Sequence, residues 1–384
     1  MKRGRGLLVL ALLSLATRLW AADNQAYLAI LAETQVHKMA GMPAISELPP
    51  GIDLSKMPGL ASMLSGAPER RLEVRLWSPG IAPADAFAYV TPPAGLQQGK
   101  KLDLELYRPR GEAEATPSRP GEFNPDAVKD FTIKIYWGSS EKVKPGQPKV
   151  IKWEGLTAEQ KQAMRRQASE SGGGGSYFYK PNWTTGYWPA SERAGKIAEG
   201  ASLVGDYALA TSYTGNVSIT APPNVNFLAP LELTSPKLDK SVPLDRPVAL
   251  AWKQIPNALG LHATAFGMEG KNTLVLWSSS EIYSDDLMAD WGYLQMAKVR
   301  ELVDATVMMR GDKTSATVPE GIFGNCEMAM LMMVGYGPGA ALESGQPLPR
   351  IQTKTTLTVT LGGKAMSEGM GETEGVGDTG DADF

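Results

Sequence analysis

Along much of the chain, hydrophobic and polar residues alternate in short runs that turn residues separate. Leu72, Val74 and Leu76 alternate with charged residues, and the run LDLELY at 102–107 repeats the pattern. Successive side chains of a β-strand point to opposite faces, so such runs predict strands with one buried face. Further runs cover residues 131–137, 150–151, 203–220, 248–252, 260–266, 272–278, 323–334 and 351–361. The pattern predicts a mainly β protein.

Three segments depart from this alternation and predict helices. Apolar residues in 24–40 recur near a helical period, which predicts an N-terminal helical arm. Thr157 and Gln160 form a capping box that opens a polar surface helix. Residues 285–309 predict an inserted helix that begins with acidic capping residues and that Gly292 interrupts.

Together these elements predict two β-sandwich-like domains between non-globular ends. The predicted segments are a signal peptide (1–22), a helical arm with a Pro/Gly/Met-rich linker (23–70), a first β-rich domain (71–222), a second β domain with the helical insertion (223–362) and a disordered acidic tail (363–384). The tail consists of glycine and acidic residues with almost nothing to bury, which favours disorder.

One stretch of the second half resembles a known fold family. The run PLDRP at 243–247 leads into VALAW at 248–252, and a Pro/Ala turn at 255–258 precedes GLHATAF at 260–266. This order resembles the B and C strands of fibronectin type III-like sandwiches, in which the first strand ends in a core tryptophan. The resemblance implies a sandwich and carries no information on a ligand.

The first residues predict export from the cytoplasm. Residues 2–5 carry three basic side chains, residues 7–16 are apolar or small, and Ala21 and Ala22 follow. This is the layout of a secretory signal peptide, and the apolar run is shorter than the roughly 20 residues of a membrane span. The alternative is an uncleaved leader, because Leu19 or Trp20 occupies the position three residues before the cut. We expect an extracytoplasmic protein, periplasmic or secreted.

Charge limits the classes of partner. Loss of the four basic residues in the leader takes the formal charge from −3 to −7, and the tail carries six acidic residues after Lys364. The remaining body is nearly neutral, so nothing favours nucleic acid or an anionic membrane. We expect a protein or glycan partner in the cell envelope and no membrane span in the mature chain. The oligomeric state is left open.

The residues that usually support catalysis are sparse. The chain has two histidines, His37 and His262, and one cysteine, Cys326, which lies in an apolar strand where a thiol is normally inert. No residue is assigned a catalytic role and no cofactor is predicted. A carboxylate pair could still form a glycosidase cleft, although helix capping explains the acids at 281–286 better.

A methionine-rich strand offers one metal alternative. Strand periodicity predicts that Cys326, Met328, Met330 and Met332 share one face. Soft sulfur ligands in an exported protein suit Cu(I), which makes a periplasmic copper-binding protein one possible function. The other interpretation is that methionine fills an irregular core.

A cluster of aromatic residues supplies the candidate ligand-binding residues. Residues 177–189 are predicted to form a loop, and the candidates are Tyr177, Tyr179, Trp183, Tyr187 and Trp188. Partly exposed rings beside polar residues can stack on sugars or hold a peptide, although the loop could also fold back and cap a sandwich. The function expected is that of a non-enzymatic envelope or secreted binding or structural protein. A carbohydrate-binding or carbohydrate-processing protein is the alternative.

Overall fold

A computed structural model describes residues 27–41, 65–108, 130–161, 183–189, 194–284, 292–341 and 350–362. The predicted signal peptide and acidic tail, and all of 42–64 in the predicted linker, lie outside these described residues. Within them, no helix is both long and apolar enough to cross a membrane.

The mainly β prediction is confirmed. The strands of the first part are β1 (Tyr27–Met39), β2 (Glu69–Ser78), β3 (Ala88–Thr91), β4 (Leu102–Asp103), β5 (Glu105–Tyr107), β6 (Thr132–Trp137), β7 (Lys149–Lys152), β8 (Thr184–Trp188), β9 (Gly195–Ile197), β10 (Gly205–Thr211) and β11 (Val217–Ala221). The strands of the second part are β12 (Leu233–Ser235), β13 (Val248–Trp252), β14 (Gly260–Glu269), β15 (Thr273–Ser278), β16 (Met309–Arg310), β17 (Ser315–Val318), β18 (Cys326–Tyr336), β19 (Ala340–Ala341) and β20 (Arg350–Gly362).

Parts of two predicted helices lie within the described residues. The capping box is confirmed, because the Gln160 side chain accepts from the Thr157 amide at 2.9 Å and the Thr157 hydroxyl accepts from the Gln160 amide at 3.2 Å. Residues 158–161 are helical, and residues 162–182 lie outside the described ranges. The inserted helix, α1 (Met296–Asp304), is shorter than predicted, because the chain leaves the helix at Ala305 and adopts a positive φ at Thr306.

The predicted N-terminal helix is wrong, since β1 takes its place. β1 lies between β2, which is antiparallel to it, and β20, which is parallel to it. Residues 28–32 are buried on both faces of this sheet, and a short apolar run of that kind is equally typical of a buried helix. Pairing with strands far along the chain therefore decided the structure of this segment.

One large sheet organises the fold. Among the described residues it contains 13 strands, and its main path runs β5-β8-β2-β1-β20-β18-β14-β15-β6-β7. One face supports two smaller sheets: β11-β10-β3-β4, and β12-β13-β17. The first encloses a core with Leu76 and Tyr207, and the second encloses a core with Trp252 and Trp277.

This sheet draws strands from both predicted domains. β2 and β8 belong to the segment 71–222, whereas β14, β18 and β20 belong to 223–362. The boundary near residue 222 stays a prediction, as does the resemblance to fibronectin type III. β13 and β14, which occupy the residues of that resemblance, lie in different sheets.

The second face of the large sheet is covered in parts. Val299 and Leu302 of α1 pack with Ile133, Ile135 and other residues of the sheet. At the other end, Trp77 packs with Trp183 and Tyr293. Between these clusters, Met332 of β18 is 48% exposed. The two faces of one strand therefore have different environments.

We expect neighbouring residues of β18 to differ sharply in their contribution to stability. Leu331 is fully buried in the core shared with β13, so Leu331→Ala should lower the free energy of unfolding by about 2–5 kcal/mol. Met332→Ala, on the opposite face, should lower it by less than about 1 kcal/mol. Chemical denaturation monitored by tryptophan fluorescence measures both, and equal losses would contradict the assignment of the two faces.

Candidate functional site

Three of the five predicted aromatic site residues lie within the described part of the chain. Tyr177 and Tyr179 lie outside the described residues, whereas Trp183 directly precedes β8, and Tyr187 and Trp188 lie within it. The prediction of a loop is therefore wrong for residues 184–188.

Gly186 explains why a segment with loop-like composition forms a strand. A Cβ atom at this position would lie 3.1 Å from Leu106 Cδ2 and 3.3 Å from Leu76 Cβ. The glycine thus permits close packing between β5 and β2, which is one of the few reasons for glycine inside a strand. The surrounding Thr184, Thr185 and Tyr187 all favour strands.

Trp183 belongs to a buried aromatic cluster. Its ring stacks on Tyr27 with centroids 5.4 Å apart and an interplanar angle of 8°. It is only 9% exposed and packs with Trp77 and Tyr293. This arrangement gives the ring a packing role at the end of the sheet.

Trp188 packs on the other face of β8. It lies against the core that contains Leu76, and a Cβ atom at Gly195 would come within 3.0 Å of its ring. Because successive strand residues face opposite ways, Tyr187 projects away from this core.

Tyr187 lies beside Tyr107 of the edge strand β5. The two rings form an edge-to-face pair with centroids 5.4 Å apart. The Arg75 guanidinium lies 5.8 Å from the centre of the Tyr187 ring, within reach of a cation–π interaction, and its Nε donates to Glu73 at 2.7 Å. Tyr107 is 40% exposed, so this pair combines a supported ring with an accessible one.

The loop at 79–87 is attached to the end of β5. Arg108, which follows β5, donates through Nε to the Ala82 carbonyl at 2.8 Å and through Nη2 to the Ala84 carbonyl at 3.2 Å. The loop carries Ile81, which is 62% exposed, and ends at Phe87, which is 52% exposed. We name Ile81, Phe87, Tyr107 and Tyr187 the aromatic edge.

Sequence reasoning found only Tyr187 among these four residues. The signal for Tyr107 was present, because alternation that turns Leu102, Leu104 and Leu106 inward turns Tyr107 outward. Ile81 and Phe87 carried no such signal, since single apolar residues are common on protein surfaces.

His262 is a buried structural group. Its Nε2 lies 3.2 Å from the Ser278 hydroxyl, which joins β14 to β15, and the ring is 1% exposed. Burial lowers the pKa of His262 to about 3, against a weaker opposing effect of a hydrogen bond with the Val307 backbone. The imidazole is therefore neutral near pH 7 and enclosed, whereas a general base must reach its substrate.

Two carboxylates lie close together on the second face of the sheet. Glu33 accepts from the Thr356 hydroxyl at 2.5 Å and pairs with Lys354 at 3.8 Å. Lys354 in turn lies 4.2 Å from the centre of the Tyr293 ring. Glu73 is held by Arg75. Each acid thus has a cation beside it, which makes this an ion-pair cluster under Tyr293.

The acids that capping was expected to explain are only partly described. Glu281 pairs with Lys144 at 2.9 Å, whereas Asp285 and Asp286 lie outside the described residues. In the described ranges, no three His, Cys, Asp or Glu side chains form a group that could hold a metal ion.

A cleft of about 340 Å³ lies beside β2 and β9. Three of its charged side chains are paired: Lys196 contacts Glu69 at 3.3 Å, and Arg70 donates to the Ala201 carbonyl at 2.9 Å. Through these contacts, the charged side chains hold β9 and the turn after it against β2.

The prediction that Cys326 shares a face with the methionines is wrong. A β-bulge in β18 sets Glu327 and Met328 against the single residue Met268, so the alternation shifts by one residue. Cys326 is buried with the core, and burial together with the Glu269 carboxylate raises the pKa of its thiol to about 11. The thiol therefore stays protonated at neutral pH.

We expect His262 to make stability depend on pH. Because its pKa falls from 6.5 unfolded to about 3 folded, the unfolded chain binds the proton first, so stability is full above pH 6.5 and is lost as the pH falls. Between pH 8 and 5 this should cost about 2 kcal/mol in the free energy of unfolding.

Urea denaturation measures the free energy of unfolding across this pH range. In the His262→Gln variant, this free energy should change less with pH than in the parent. A His37→Gln variant is the control, because the His37 side chain is only half-buried and should keep most of the dependence. A His262→Gln variant with the same slope as the parent would contradict the assignment.

Comparison with known proteins assigns no family. The chain matches no protein-family model, and a search of curated proteins finds no match. The aromatic edge, as an exposed surface with internal support, is the candidate functional site.

Proposed function

We propose that this is an exported, non-enzymatic binding or structural protein of the cell envelope or the extracellular space, which works through surface contact. The observation that carries the proposal is the aromatic edge. Three of its four side chains are at least 40% exposed, namely Ile81, Phe87 and Tyr107. A group of large exposed apolar side chains is typical of a contact surface.

The support beneath these side chains favours binding. Tyr187 is held by Tyr107 and Arg75, and Arg108 holds the loop against β5. Phe87 also stacks on Tyr89, with centroids 5.9 Å apart. A preformed surface loses little conformational entropy when a partner binds, and aromatic residues are enriched at the centres of interfaces.

Export is the second part of the proposal, and it rests on the leader at residues 1–22. A partner in the envelope or outside the cell fits both the leader and the nearly neutral body of the chain. A protein partner is the first expectation, because the exposed set includes the aliphatic Ile81 as well as aromatic rings.

Site-specific photocrosslinking in the native envelope tests this proposal. A photoreactive residue at position 81 or 87 should crosslink a partner in the envelope fraction. Position 150 is the matched control, because Val150 is 48% exposed on β7, at the opposite end of the same sheet. Equal crosslinking from positions 81 and 150, or retention of the chain in the cytoplasm, would contradict the proposal.

A glycan-binding protein is the second candidate, and the Tyr107–Tyr187 pair favours it. An exposed tyrosine ring with a second ring and Arg75 beside it can stack on a sugar face and donate hydrogen bonds. The edge-to-face angle of 71° leaves one ring face, not a coplanar platform, for such contact.

A glycan array and a peptidoglycan pull-down should separate the two candidates. If a glycan binds, Tyr107→Ala with Tyr187→Ala should weaken binding at least about tenfold, or about 1.4 kcal/mol. Trp183 is not substituted in this variant, because it belongs to the packed aromatic cluster with Trp77 and Tyr293. Tyr283→Ala is the control, since Tyr283 is exposed near the opposite edge, where Lys149 of β7 lies over its ring. Binding that survives the double substitution would remove the glycan function from this surface.

A further inference from the structure

The bulge in β18 leaves three methionines together on the solvent face of the large sheet. Met328 is 46% exposed, Met332 is 48% exposed, and Met330 between them is half-buried. The intervening Ala329 and Leu331 are fully buried on the other face. Apolar packing does not explain this arrangement well, since Met328 and Met332 leave about half of their surface in water.

A fourth methionine joins them from the neighbouring strand. Met268 of β14 lies opposite the bulge that contains Met328. Its partial burial against the cluster under α1 places it on the same face as the other three. Four thioethers thus lie on two adjacent strands.

Strand geometry allows the sulfur atoms of Met268, Met328 and Met330 to converge on one ion, whereas Met332, four residues from Met328, lies about 13–14 Å from it along the strand and beyond that reach. Residues two apart on one strand are separated by about 6.8 Å, and adjacent strands by about 4.8 Å. A methionine side chain has three rotatable bonds, so each sulfur can move toward its neighbours without a change in the backbone.

The side chains opposite Met330 and Met332 on the neighbouring strands are neutral. Met330 lies opposite Phe266 on β14 and Thr360 on β20, and Met332 lies opposite Thr264 and Thr358. None of these side chains carries a positive charge that would repel a cation, and none is a hard carboxylate ligand. Thioether sulfur is a soft donor that selects Cu(I) over harder divalent ions.

We propose that Met268, Met328 and Met330 form a binding site for Cu(I). The site lies apart from the aromatic edge and does not depend on the surface-contact function. Cys326, on the opposite face with a protonated thiol, takes no part in it. Binding requires no change of oxidation state, since Cu(I) is held as such by neutral ligands.

Competition with a chromophoric Cu(I) chelator under anaerobic, reducing conditions tests the site. The untagged chain should withdraw one equivalent of Cu(I) from the chelator. Met268→Leu with Met328→Leu and Met330→Leu should weaken binding at least about 100-fold, since even the loss of an outer-shell partner costs a metal site about 10–100-fold. Leucine keeps the apolar volume, so the triple variant should fold.

Met333→Leu is the matched control. Met333 lies on the same strand and is buried on the opposite face, so this variant should keep the parent affinity. The affinity should also stay constant between about pH 6 and pH 8, because a thioether does not titrate, whereas binding through His37 would weaken as the pH falls.

Two results would overturn the copper site. One is a parent chain that leaves all Cu(I) on the chelator, and the other is a folded triple variant with the parent affinity. Circular dichroism establishes that the variants are folded. Shifts of the methionine methyl resonances on addition of Ag(I), a redox-inert substitute, should be largest for residues 268, 328 and 330.

Discussion

The pairing of β1 with β20 is the contact on which the rest of the structure depends. It aligns Ala29 with Arg350 and continues in parallel to Met39 and Thr360, which joins the two ends of the described chain at the centre of the sheet. β1 also contributes to both cores, through Leu28 and Ile30 to one and Val36 to the other. A contact across more than 300 residues carries a loop-closure cost, which grows only slowly with length, and the apolar burial on both faces offsets it.

The two faces of the large sheet serve different purposes. One face is covered by the two smaller sheets and supplies both main cores. Among the described residues, the other is covered by α1 at one place and by the aromatic cluster around Trp183 at another. Polar groups within the covered parts are held locally, as the contact between His262 and Ser278 illustrates. Surfaces that can meet a partner or a ligand are therefore restricted to the uncovered parts and the sheet edges.

The aromatic edge and the methionine face, which Met268, Met328, Met330 and Met332 form, lie beside two different interruptions of regular sheet. At the aromatic edge, β5 has only three residues, and Arg108, which follows it, holds the loop at 79–87 in place. On the methionine face, Met328, Met330 and Met332 follow regular alternation, and the bulge before them turns Cys326 inward. Short edge strands and bulges commonly end or redirect strand pairing.

Local patterns in the sequence were enough to predict the mainly β class, most strands, the capping box at Thr157 and the inward set Leu102, Leu104 and Leu106. Tertiary structure alone decided that residues 27–39 form a strand, that Gly186 lies within β8, and that Cys326 faces away from the methionines. The physical reason is that alternation records which side chains share a face only while the strand stays regular. Partners distant in the chain, and the bulges they impose, determine which face becomes the core.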